Sequence, residues 1–475
     1  MSDKRLLTTE EKALKVNLTP DIYGSFAEIG AGQEVAANFF KAGGSSGTIA
    51  YTHSAYDMKI SDGMYGDCSR YVCEDRLIQM LDKEYSNMQN MLPDKQHSAR
   101  FFAFADTVES LNYHKTNQGQ GWIGMKFQLE LGKEPNEIIL HVKMHEDSHQ
   151  RQQKALGILG VNLIHAAYFE KDNTIEEFLE ALTHRLPRER VEIDMLRISG
   201  PDFDHIDNRV IALNLVKNGL TDATMFDQTG TVLQPTSALY KKNVVLMRGR
   251  FRPMTKVHVD VIEAGLKQYL EEDDVEKDNV CLLLELTLKD LTANGTISDK
   301  DFIDRAELLC SMGYTVMISN YLKHYKMIEY LSSITKGQKI GVLLGIYTLH
   351  TIFDEKYYNT LNGGLLEAFG RGFGHNVKMY VYPAMLPNDN TIYTIENIQI
   401  PDHLMGLLDY MLKTNKVVGY KEYDQELLHI QSDDVLAKIK AGGDWEGDVP
   451  ESVVKAIKFY NLFGFHSEKK LAKLN

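Results

Sequence analysis

Between Arg248 and His258 the chain reads Arg-Gly-Arg-Phe-Arg-Pro-Met-Thr-Lys-Val-His. These residue types suit phosphate chemistry. Arg248, Arg250 and Arg252 supply positive charge, and Gly249 permits close backbone approach or unusual dihedrals. Pro253 fixes the loop, and a helical pattern opens near Thr255. The unpaired N–H groups of a helix start attract anions. His258 falls in the first helical turn, facing the same mouth. A rigid strand–turn–helix junction accounts for the same letters if its Gly and Pro serve the turn and its arginines pair with local carboxylates.

Other stretches carry weaker chemistry. Asp227-x-Thr229-Gly230-Thr231 has the look of an aspartyl-phosphate motif, yet a Thr-Gly turn between two strands explains it equally well. Asp202, Asp204, His205 and Asp207 are placed to hold Mg²⁺ after a strand, or Asp207 caps the next helix, the reading favoured here. "EIGAGQEVA" has Gly30-x-Gly32 but Val35 in place of a third glycine, a weak dinucleotide signal. "KAGGSSGT", Lys41 to Thr48, would make an anion nest or, more simply, a loop. His141, His145 and His149 recur every four residues, but the first two lie on an expected strand, so no metal site is expected. Arg371, in a glycine-rich helix, is a further candidate phosphate contact.

The elements that must position these residues follow from hydrophobic spacing. The first hundred residues read as mainly helical, with "KAGGSSGTIAYTHSAYD" as a loop. Residues 101–235 then alternate strands with helices, including helix "SHQRQQKALGILG" followed by strand "VNLIHAAYF". Residues 236–400 repeat the alternation: strand "NVVLMRGRF", helix "KVHVDVIEAGLKQYLEE", strand "NVCLLLELTL", helix "SDKDFIDRAELLCSMG", strand "YTVMISN". Residues 401–475 read as helical. The expected class is α/β: two doubly wound, mostly parallel, Rossmann-like sheets with helical extensions at both ends. Ligands in such sheets sit beyond the carboxyl ends of the strands, where Gly249 to His258 falls.

Composition limits the function classes. A chain of 475 residues, 43% hydrophobic and 25% charged, fits a globular protein of two or three domains. A net charge of -14 argues against a nucleic-acid partner, while leaving room for a basic pocket that takes a nucleotide or small phosphorylated ligand. The charged start "MSDKRLLTTEEK" lacks a signal-peptide core, and no apolar run is long enough to span a membrane. A cytoplasmic location with four reduced cysteines is expected, as is assembly into a homo-oligomer.

The Gly249 stretch resembles the nucleotidyltransferase superfamily, whose pattern is G-x-F-x-P-x-[TH]-x-G-H after the first strand. Gly249, Phe251, Pro253, Thr255 and His258 match; Val257 stands where the second glycine would be. The resemblance implies that Thr255 and His258 are catalytic, contacting ATP phosphates, with Gly249, Arg250, Phe251, Arg252 and Pro253 around the nucleotide. It implies adenylyl transfer to a mononucleotide such as nicotinate mononucleotide, with Mg²⁺ carried by the phosphates. The family's second motif, I-S-S-T-x-x-R, has an echo in "ISNYLKH", Ile318 to His324, two strands early. Over its whole length, on "FAEIGAGQEVAANFF", "GILGVNLIHAAYF", "FDHIDNRV" and "IFDEKYYNTLNGGLLEAFGR", the chain also resembles a bacterial family whose labels conflict. They include nicotinate-nucleotide adenylyltransferase and TonB-dependent receptor. The second is physically untenable, since a barrel needs a signal peptide and many alternating strands. The alternative to an enzyme is a non-catalytic self-assembling or scaffold protein that keeps a Rossmann-like fold.

Overall fold

A computed structural model describes residues 6–171, 173–289, 299–374, 376–386 and 391–466. The chain divides into two compact units at Asp222/Ala223.

The first unit is built on a six-stranded sheet. Its strands are β1 (Ile22–Ile29), β2 (Ile49–His53), β3 (Arg100–Glu109), β4 (Gly119–Phe127), β5 (Asn136–Met144) and β6 (Val191–Ser199). Their order is β2-β1-β3-β4-β5-β6. Helices α1 (Thr9–Asn17), α2 (Glu34–Ala42), α3 (Met58–Tyr65), α4 (Glu74–Met91), α5 (His149–Phe169), α6 (Ile175–Leu182) and α7 (Asn208–Lys217) accompany it.

The α/β class is as expected from the sequence, and three details differ. The first hundred residues contribute β1 and β2, which pair in parallel with each other and with β3. Both strands escape a pattern reading because glycine and polar residues interrupt them. Gly24 is needed where it stands: a Cβ there would meet the Phe102 ring at 2.4 Å. Glycine-rich β4 escapes for the same reason. It pairs antiparallel with both β3 and β5, and β5 pairs antiparallel with β6, so this sheet is mixed. Finally, "VNLIHAAYF" is the second half of α5. Residues 155–157 and 159–168 are all buried, and a helix apolar on every side has no stripe to betray its period.

The second unit holds β7 (Ala223–Phe226), β8 (Val232–Leu233), β9 (Asn243–Arg248), β10 (Val280–Thr287), β11 (Thr315–Ser319), β12 (Ile340–Gly345), β13 (Val377–Tyr382) and β16 (Val417–Gly419) in one sheet. Strands β14 (Ala384–Met385) and β15 (Ile392–Tyr393) form a separate hairpin. The described helices are α8 (Pro235–Leu239), α9 (Lys256–Leu270), α10 (Asp299–Ser311), α11 (His324–Thr335), α12 (Ile346–Ile352), α13 (Gly364–Gly372), α14 (Met405–Lys413), α15 (Ser432–Ala441) and α16 (Glu451–Tyr460).

The large sheet runs β16-β13-β12-β9-β10-β11-β7-β8. Strands β9 to β13 and β16 pair in parallel; β7 and β8 extend one edge antiparallel. Counted from β9, the parallel strands stand in the Rossmann order 3-2-1-4-5-6. The direction of winding reverses between β9 and β12, and at such a point open α/β sheets take their ligands beyond the carboxyl ends of the strands. The C-terminal region supplies the edge strand β16. Among the described residues no helix is long and apolar enough to cross a membrane.

Close packing of α2 on α5 gives a test. A Cβ on Gly160 would lie 2.4 Å from Val35 Cγ2 and 3.0 Å from the Phe104 ring. On an open helix face Gly→Ala stabilises by about 1 kcal/mol. At this site Gly160→Ala is expected to destabilise by about 1–3 kcal/mol through overpacking. Urea denaturation decides it by the sign of the change.

Candidate nucleotide site in the second unit

The turn after β9 is tightly built. Phe251 lies at φ 44°, a left-handed conformation that a bulky residue enters only when its surroundings hold it there. What holds it is burial: Phe251, Met254 and Thr255 are fully buried. The Phe251 ring lies over Gly249, where a Cβ would meet it at 2.8 Å, and against the His258 ring, 5.4 Å between centroids. Gly249 is outside the left-handed region, so its lack of a side chain serves the packing of Phe251. Pro253 is buried beside them, after a cis bond from Arg252.

Thr255 and His258 are brought together at the start of α9. His258 Nδ1 accepts from the Thr255 backbone N–H at 3.1 Å and lies 2.9 Å from Thr255 Oγ1. An acceptor Nδ1 leaves the proton of the neutral ring on Nε2. Burial, with a smaller contribution from the Arg250 charge, brings the imidazole down to about 4, so it is neutral at ordinary pH. The backbone N–H groups of Lys256 and Val257, in the first turn, have no acceptor within the helix.

The arginines are paired. Arg248 Nε lies 2.5 Å from Glu285 Oε2, and its Nη2 donates to the Tyr321 carbonyl at 2.8 Å. Glu285 is fully buried and also accepts from Ser319 Oγ at 2.6 Å. Arg252 Nε lies 2.9 Å from Asp301 Oδ1, without the alignment of a hydrogen bond. Asp301 also pairs with buried Arg305, which donates to the Arg250 carbonyl at 3.3 Å. Arg250 Nη2 donates to Asp433 Oδ2 at 2.7 Å, on an open surface.

Some residues at this mouth were not singled out from the sequence. Ser319 and Tyr321, inside the "ISNYLKH" echo, meet the first motif through Glu285 and Arg248. The echo also holds Lys323 and His324. Burial, and then Arg248, pull His324 down to about 3. Lys323 is lowered by burial and by its neighbour Lys289, against the pull of Asp354; its Nζ lies 4.2 Å from the Tyr357 ring centroid. Their sequence signal was that echo, which spans the end of β11 and the residues just past it.

The other candidates resolve differently. Asp227 Oδ1 accepts from the Thr229 and Thr231 N–H groups at 2.8 and 3.1 Å, a local turn between β7 and β8. Asp207 caps α7, accepting from Arg209 N–H at 2.9 Å. Asp202 accepts from Asn136 Nδ2 at 2.7 Å. After Gly30-x-Gly32, the Glu28 carboxylate accepts from the Val35 and Ala36 N–H groups at the start of α2, the place a phosphate would take. His141 is buried on β5, bonded to Asp194 at 2.6 Å and Gln120 at 2.8 Å; His145 reaches Glu192 at 3.2 Å. Arg371 makes a two-pronged pair with Glu329 at 2.9 and 3.1 Å. The stretch Ile49–His53, expected within a loop, is β2. Among the described residues no group of three or more His, Cys, Asp or Glu is placed to hold a metal ion.

No family model matches the chain, and no curated protein does. Among solved structures it is similar to the competence/damage-inducible protein CihA of Agrobacterium tumefaciens, with 19% identity and a TM-score of 0.24, over 33% of this chain and 94% of that one. A competence or damage-inducible protein of Enterobacter asburiae gives 11% identity and 0.24, over 34% and 99%. A protein of Vibrio parahaemolyticus, provisionally named a nicotinate-nucleotide adenylyltransferase, gives 13% and 0.22, over 47% and 96%.

Two outcomes follow from the site's geometry. Glu285→Ala leaves Arg248 without its buried counter-charge, and a loss of about 3 kcal/mol is expected in urea denaturation. The neutral imidazole gives a pH signature. Folding lowers His258 from its ordinary 6.5 to about 4, so the unfolded chain takes the proton first. The contribution is complete above 6.5 and is lost as pH falls toward 4. The stability difference between wild type and His258→Asn should shrink across that window; a constant difference would contradict a ring held neutral by the fold.

Proposed function

We propose that the second unit is a nucleotidyltransferase-like nucleotide site, and that its reaction is adenylyl transfer from ATP to a mononucleotide such as nicotinate mononucleotide. One observation carries this reading. The Gly249–His258 turn leaves the first strand of a 3-2-1-4-5-6 sheet at its reversal point, with the start of α9 at the same end. Ligands of open α/β sheets occupy that position. Lys289 and Lys323 add positive charge at the neighbouring strand ends.

In the proposed reaction an oxygen of the mononucleotide phosphate attacks the α-phosphorus of ATP. The new O–P bond forms as the α–β bridge breaks, and pyrophosphate leaves with the bonding pair. The attacking phosphate is already ionised, so no general base is required. The chain's part is to hold the phosphates and stabilise charge. Neutral His258, with its proton on Nε2, is a hydrogen-bond donor to a phosphate oxygen. The α9 N–H groups act alike. Glu285 and Asp301 are committed to arginines, so Mg²⁺ enters on the triphosphate. The protein so read is cytoplasmic and self-associating.

A second reading is a non-catalytic scaffold that keeps the fold. It draws support from Phe251 packing on Gly249 and from the carboxylate partner of each motif arginine. Pyrophosphate release with ATP, Mg²⁺ and a panel of mononucleotides separates the two. Release that falls at least about a hundredfold in His258→Ala, the scale of a lost transition-state donor, is expected. No release with any mononucleotide, and no ATP-dependent rise in melting temperature, would leave the scaffold.

A further inference from the structure

Arg250 differs from the other two motif arginines. Arg248 and Arg252 pair with acids on the adjoining β10 and α10, and their side chains are 11% and 20% exposed. Arg250 reaches 183 residues along the chain to Asp433, in the first turn of α15, and both side chains stay about half or more in water. Its guanidinium is close enough to influence His258. The Asp433 carboxylate therefore sits on the one motif arginine that faces solvent beside the catalytic candidate. Helix α15 is held by buried Val435, in the same first turn, and by Ile439 beyond it, while the Asp433 side chain is exposed and can swing off Arg250 with that anchor in place.

We propose that Asp433 is a specificity-determining latch: its carboxylate occupies the place on Arg250 that a terminal phosphate of a nucleoside triphosphate takes, and binding displaces the Asp433 side chain. This rests on the nucleotide reading above. The chemistry favours exchange for a polyphosphate. A carboxylate carries one charge, whereas a terminal phosphate carries roughly -1.5 to -2 near neutral pH and offers three acceptor oxygens. An exposed ion pair is weak enough to be displaced. A ligand that fails to reach Arg250 leaves the latch closed.

The test uses the full chain, with Mg²⁺–ATP and inorganic tripolyphosphate as probes. Asp433→Asn is expected to tighten both by about threefold to fivefold, the scale of an exposed ion pair. The gain should vanish when Arg250 is also changed to Ala. If wild type and Asp433→Asn bind equally, or the variant binds more weakly, the latch is overturned and the nucleotide site stands. A gain that persists without Arg250 reflects net charge alone and also overturns it. If neither protein binds either probe, both readings fall.

Discussion

A charge taken out of water must be answered where it lies, and the second unit depends on one such answer. Glu285 is fully buried at the carboxyl end of β10. It draws Arg248 from β9 on one side and the Ser319 hydroxyl from β11 on the other. Three adjacent strands are thus tied at their carboxyl ends. Arg248 passes the constraint on to the Tyr321 carbonyl, and so to the segment that starts α11. Without this knot the strands would still pair, but a buried charge would stand unanswered at their ends. The Gly249 turn grows directly from it, since the Gly249 N–H donates to the Glu285 carbonyl at 3.1 Å.

The same economy runs through the turn itself. A phenylalanine in a left-handed conformation, a glycine beneath it and a proline beside it form a plug that fixes the direction of α9. His258 Nδ1 meets both the N–H and the hydroxyl of Thr255 and so fixes the helix start. These residues make a rigid frame, and a rigid frame is what positional catalysis requires. In the proposed reading, the parts left for a ligand are few: the backbone N–H groups of the first turn, His258 Nε2 and the lysines at the strand ends.

Much of the second unit was legible in the sequence. Strands such as "NVVLMR" and "CLLLEL" are continuous apolar runs bounded by turns, because helices cover both faces. The first unit was harder. β1 and β4 use glycine where a neighbouring ring or backbone presses close, and a glycine reads as a loop. α5 lost its period because its second half is buried all round. At the site, the motif was visible as letters at fixed spacing. The acids that answer its arginines were not, since Glu285, Asp301 and Asp433 lie far along the chain and only folding brings them near.

The edges of the second sheet carry a consequence for assembly. One edge ends in β8, two residues long, and the other in β16, three residues long. So little unpaired backbone makes a poor template for another chain's strand. Ribbon-like growth by strand addition is therefore disfavoured at both borders.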